Sequence, residues 1–213
     1  MKKQIPVPSR SSLSMVFLIM LLSAFFVSIV VVIHLFKGIP VSDLTRDFAT
    51  VAGFPPYICF FSQLGILFWS ASASACLLGA TIVAKRPDSF KSRNFLFVSG
   101  FLTIVLGFDD LFLVHEYVFP KYFGISEKVV FSFYLVFLLF YLVKYFLLIV
   151  KTDYILLMMA LAFFSLSMIM DLLAVPGLLD SYLLEDGSKM VGIISWLFYF
   201  FRTSRALCDV SPV

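Results

Sequence analysis

Residues 13–36 read LSMVFLIMLLSAFFVSIVVVIHLF, and no Asp, Glu, Lys or Arg interrupts them before Lys37. As an α-helix this run is about 36 Å long, enough to cross the ~30 Å hydrocarbon layer of a bilayer. In hydrocarbon each backbone N–H and C=O must bond within its own segment, so a helix is the form such a run takes. Lys2, Lys3 and Arg10 precede it. The run is too long for a secretory signal and lacks a small-x-small cleavage site, so it is expected to be a retained span.

The same pattern recurs along the chain. Tyr57 to Ala84 is closed by Lys85-Arg86-Pro87, Phe95 to Phe119 by Pro120, and Tyr154 to Val175 by Pro176-Gly177. Val129 to Val150 lies between the last two. Met190 to Phe201 is too short to cross alone, so a sixth helix must begin near Tyr182 and run to about Arg202. The expectation is an all-α, polytopic transmembrane helix bundle of about six spans (13–36, 57–84, 95–119, 129–150, 154–175, 182–202), forming one integral membrane domain over 1–213. Composition agrees. The chain is 62% hydrophobic and 14% charged, with 27 Phe among 213 residues and a mean hydropathy of +1.04. A soluble domain is about half apolar and a quarter charged. No basic run interleaved with aromatics points to nucleic acid. Cys59, Cys76 and Cys208 form no CxxC pair and imply neither a disulfide framework nor a zinc site.

Charge sets the expected orientation. With six spans both termini share a side, which carries Lys2, Lys3, Arg10, Lys85, Arg86, Lys91, Arg93, Lys151, Arg202 and Arg205. The other side has Lys37, Arg46, Lys121, Lys128 and Lys189, and Lys144 can snorkel from the fourth helix. Basic excess marks the cytoplasmic side, so both termini are expected there, in a membrane of bacterial inner (plasma) type. The longest loop, Lys37 to Pro56, is then external. Ser42 is a suitable N-cap with Asp43 in the first turn, and Leu44, Phe48 and Val51 would line one stripe of a short interfacial helix.

The third span carries the chemistry. Gly107-Phe-Asp-Asp-Leu-Phe-Leu-Val-His-Glu116 places Asp109, Asp110, His115 and Glu116 within eight residues. Each unpaired charge at a helix centre costs roughly 2.5–3.5 kcal/mol on insertion scales, so such residues are expected to face the bundle interior and find partners. On a continuous helix Asp109 would lie about 15 Å below the outer end and Glu116 about 4–5 Å. The two would share a face, about 10 Å apart along the axis, with His115 about 100° away from Glu116. A compact site therefore needs other helices. Asp171 on the fifth and Glu185 and Asp186 on the sixth lie at the same outer depth. Lys189 is either the i,i+4 partner of Glu185 or the counter-charge of the third helix's carboxylates.

Three functions fit these residues. In the first, Asp109, Asp110, Glu116, Asp171, Glu185 and Asp186 bind a divalent metal. Oxygen ligands with one imidazole suit Mg, Mn or Fe rather than a thiolate-bound Zn. Asp109, Asp110, His115 and Glu116 then act on a lipid or small amphiphile. Two histidines, His34 and His115, cannot build a three-histidine zinc centre. In the second, the cluster handles protons or cations. In the third, it is a satisfied network in a structural subunit, with the bilayer, other membrane subunits or further copies of the chain as partners.

Overall fold

The computed structural model describes residues 10–86, 89–172 and 180–209. Lys2, Lys3, Pro87 and the Pro176-Gly177 stop lie outside the described residues. Among those described, all regular structure is helical and no strand occurs. Five helices are long and apolar enough to cross a membrane: residues Ser14–Lys37, Phe60–Val83, Phe90–Phe112, Glu127–Ile149 and Tyr154–Asp171. The chain divides into two compact units, Met1–Ile58 and Cys59–Val213.

In the first unit, α1 spans Arg10–Lys37, and the loop after it holds two short helices, α2 (Val41–Thr45) and α3 (Phe48–Ala52). The single interfacial helix expected here is interrupted. Arg46 is extended, and Asp47 caps α3 by accepting the Thr50 backbone N–H at 2.8 Å and its hydroxyl at 2.7 Å. The cap competes with helix continuation, as Asp side chains do. Pro40 rather than Ser42 precedes the first turn of α2, and Leu44 is separated from the Phe48–Val51 turn. His34 Nδ1 donates to the Ile39 carbonyl at 2.8 Å, closing the end of α1.

The second unit contains α4 (Phe60–Val83), α5 (Phe90–Phe112), a π-helical segment (Val114–Phe123), α6 (Glu127–Ile149), α7 (Tyr154–Leu172) and α8 (Asp180–Asp209). Helix α4 buries Gly65, Trp69, Ser72, Cys76, Gly79 and Val83, a heptad-spaced stripe of mostly small residues. Small side chains let helix backbones approach closely where lipid supplies no hydrophobic drive. A Cβ on Gly100 of α5 would lie 2.8 Å from Leu77, and one on Gly79 would lie 3.0 Å from Ser204 of α8.

Contacts along the helices fix their directions. Gly65 meets Asp110 and Gly107 meets Trp69, so α4 and α5 are antiparallel. Gly65 meets Ile193, Trp69 meets Trp196 and Gly79 meets Ser204, so α8 runs parallel to α4 along most of its length. Phe164 against Gly192 and Asp153 against Arg202 make α7 antiparallel to α8. Helix α6 meets α5 mainly through aromatic side chains: Tyr141 hydrogen-bonds Ser99 at 2.6 Å and Tyr145 accepts from Asn94 at 2.8 Å. The core centres on Phe95, Leu96, Trp196, Tyr199 and Phe200, so α8, the most polar of the long helices, buries one of its most apolar faces.

Candidate functional site

Helix α5 does not continue to Phe119. It stops at Phe112, Leu113 turns left-handed (φ 49°, ψ 47°), and the chain proceeds as the π-helical segment. Two local causes act together. Pro120 has no N–H for a regular ladder. The Asp109 carboxylate takes the His115 backbone N–H at 2.9 Å, which a continuous α-helix would give to Leu111. Tyr117 and Val118 both donate to the Leu113 carbonyl instead. The shared face of Asp109 and Glu116 expected of a straight helix is therefore absent, and Glu116 is exposed.

The bend folds His115 back over its own helix. Its Nδ1 lies 2.5 Å from Asp109 Oδ2, while the Tyr134 hydroxyl of α6 donates to Oδ1 at 3.0 Å. Asp109, 7% exposed, thus accepts three hydrogen bonds. Against an ionised carboxylate, which can only accept, a neutral imidazole would carry its hydrogen on Nδ1. Nε2 faces Glu127 Oε1 at 3.8 Å, and the ring packs on Phe131 at 4.7 Å between centroids.

Asp110 points another way. It forms an ion pair with Lys189 of α8 and accepts from Trp69 Nε1 of α4 at 3.2 Å, joining three helices at one carboxylate. Below it, Trp69 stacks on Phe164 (5.6 Å, 16°) and meets Trp196 edge-on at 6.1 Å. Trp196 in turn donates to Thr103 at 3.0 Å. Beside Asp110 a cavity of about 30 Å³ is bordered by Ser62, Gly65, Asp186 and Lys189. It has room for about two water molecules and is too small for a lipid headgroup.

The remaining acids stand further apart. Asp171 and Glu116 act electrostatically on both Glu127 and Glu185, and Asp186 adds its charge next to Glu185. Asp171 and Asp186 are exposed and Glu185 is half-buried. Among the described residues no group of three or more His, Cys, Asp or Glu side chains is placed to hold a metal ion. The site splits instead into an Asp109–His115–Tyr134–Glu127 arm and an Asp110–Lys189–Trp69 arm.

Residues 14–203 match the family described as a domain of unknown function, DUF8692. The chain belongs to that family. No curated protein and no solved structure matches it. The DUF8692 match covers both arms of the polar site and every helix but the last residues of α8 and the first of α1.

Three participants are not among the residues expected from the sequence: Trp69, Tyr134 and Glu127. Trp69 and Tyr134 lie in apolar runs where an aromatic ring reads as packing, and only their polar atoms make them site members. Glu127 sits at the start of α6 as an ordinary helix-opening acid. No spacing rule links any of them to Asp109, Asp110 or His115, which they reach across helices.

Proposed function

We propose that this chain is an integral membrane protein of six crossings whose polar end is a proton-binding site centred on His115. Support for the sixth crossing comes from α8, which runs beside α4 in parallel register. A helix packed along a span shares its depth. The basic excess at the Arg86–Arg93 and Arg202–Arg205 end supports cytoplasmic termini.

One observation carries the proton reading: both the backbone N–H and Nδ1 of His115 are bound by the same Asp109 carboxylate. Asp109 orients the ring and holds the neutral form in one tautomer, leaving the Nε2 lone pair directed towards Glu127. A proton arriving at Nε2 creates an imidazolium between two carboxylates. Histidine is the side chain whose ordinary pKa lies within the physiological range, which suits it to this exchange. Glu116 and Asp171, whose charges reach Glu127, raise the local concentration of cations, protons included. Because Tyr134 and Glu127 both belong to α6, a change of charge on His115 alters the contact between α6 and the end of α5. The site thereby couples a proton to helix packing.

The test uses the fact that the chain has two histidines. His34→Gln protein, labelled with ¹⁵N-histidine in lipid nanodiscs, carries one imidazole signal. The expected result is an Nδ1–H tautomer at high pH, proton uptake at Nε2 as the pH is lowered, and loss of the tautomer preference in Asp109→Asn. An Nε2–H tautomer, or a ring that holds one protonation state across the whole titration, would sink the reading.

A second reading rests on the other arm. Asp110, with Lys189 and Trp69 as partners, joins α4, α5 and α8 and supports a structural role as a lock between helices. The two readings are compatible, because the arms use different carboxylates.

A further inference from the structure

At the opposite end of the second unit, a cavity of about 390 Å³ lies between α4 and α5. It is about 25 Å along α5 from Asp110 and independent of the His115 site. Leu77, Ala80, Thr81 and Ala84 form its α4 wall, and Arg93, Asn94 and Phe97 its α5 wall. The shape follows from the sequence. Gly100 pinches the two helices together at Leu77 and Gly79 keeps α4 on Leu96, while the side chains next to the groove, Ala80, Thr81 and Ala84, are too small to fill it. Asn94 is tied to Tyr145 of α6 at 2.8 Å, which fixes the inner edge. Phe97, 58% exposed, forms the outer one.

The groove has one charged group. Arg93 belongs to the first turn of α5, at the depth where a span meets the headgroup layer, and its guanidinium is steadied by the Phe90 ring at 5.3 Å. It enters none of the ion pairs among the described residues. Lys85, Arg86 and Lys91 are close in sequence and make this the most basic stretch of the chain. Arg86 is occupied, donating to the Leu207 and Cys208 carbonyls at the end of α8. The chemistry therefore runs from an apolar trough to a guanidinium with no carboxylate partner among the described residues. Guanidinium forks match phosphate oxygens, and basic pockets between membrane helices take lipid headgroups.

We infer that this groove binds one anionic phospholipid, its acyl chain along Leu77, Ala80, Ala84 and Phe97 and its phosphate on Arg93. The volume falls in the ~300–1,000 Å³ range of small-molecule sites. The apolar walls select an acyl chain over a free anion, and the position on the lipid-facing side of α5 admits it from the bilayer.

Purified protein is titrated with phosphatidylglycerol and, separately, with phosphatidylcholine, and bound lipid is counted by native mass spectrometry. Wild type is expected to prefer the anionic lipid by about five-fold, the size of one basic contact near a membrane surface. Arg93→Gln loses that preference and Arg93→Lys keeps most of it. Ala84→Phe fills the trough and lowers retention of both lipids, and Thr81→Phe, on the same wall, does so where the first variant is unstable. An undiminished preference in Arg93→Gln, unchanged retention in a folded filling variant, or displacement of the lipid by inorganic phosphate alone would overturn the inference.

Discussion

Lys189→Met exposes the energetic logic of the Asp110 arm. Asp110 is 9% exposed, and its ion pair with Lys189 is supplemented only by Trp69 Nε1 at 3.2 Å. Removing one partner of a buried pair costs about 3–5 kcal/mol, because the other charge stays buried and uncompensated. The Lys189 side chain is 38% exposed, so water can partly replace it, and the expected loss is at the low end, about 3 kcal/mol. Asp110→Asn behaves differently. Lys189 is then free to turn outward into solvent, the amide oxygen that replaces the carboxylate can still accept from Trp69, and the cost falls to about 1 kcal/mol. The double variant should recover most of the difference, since no charge is left buried. The assay is reversible unfolding in mixed micelles, with denaturant midpoints compared for the four proteins. Should Lys189→Met cost no more than Asp110→Asn, or should the two losses simply add, the buried ion pair does not contribute as argued.

Three further outcomes follow from other parts of the molecule. Gly192→Ala should lose about 1–3 kcal/mol, because its Cβ would sit 2.6 Å from the Phe164 ring, itself held on Trp69; Gly187→Ala, with open space around it, should gain about 0.5–1 kcal/mol from helix propensity, and thermal melting separates the two. Tyr134→Phe removes one of three donors on the Asp109 carboxylate and should cost about 1.5 kcal/mol, with the His115 tautomer retained in the ¹⁵N spectrum because the two bonds from His115 remain. At Asp47 the Thr50 hydroxyl bond, followed by the Thr50 backbone bond, holds the carboxyl below its ordinary value. A depressed folded-state pKa stabilises above the unfolded value and is lost as pH falls through the folded one. Protection of the Thr50 amide from exchange, taken relative to the intrinsic rate at each pH, should therefore hold at neutral pH and fall below pH ~4, and Asp47→Ala should remove that fall.

Much of the helical framework is legible from composition and run length, because hydrocarbon permits so few backbone arrangements. Five helices of spanning length and apolarity follow directly from their apolar runs. The boundaries are less legible. Run length carries the third helix to Phe119, but the Asp109 hydrogen bond to the His115 backbone, together with Pro120, ends it at Phe112. The stripe in the first loop implies one helix, but the Asp47 cap makes two. Both differences arise where an Asp side chain competes for a backbone N–H, a local contest that hydropathy does not register.

Sequence alone marks Asp109, Asp110, His115 and Lys189 as residues needing a reason to be where they are, because ionisable groups in apolar runs are costly. It does not say which carboxylate meets which partner. A straight-helix reading puts Asp109 with Glu116, whereas the left-handed turn at Leu113 gives Asp109 to His115 and leaves Glu116 exposed. The direction of Asp110 towards Trp69 and Lys189 depends on α4, α5 and α8 meeting at a single level. Sequence spacing describes neighbours on one helix, while register between helices is set by small-residue stripes and aromatic packing across the whole unit. The chemistry of the chain requires these charges to have partners, and the packing of one helix on another selects them.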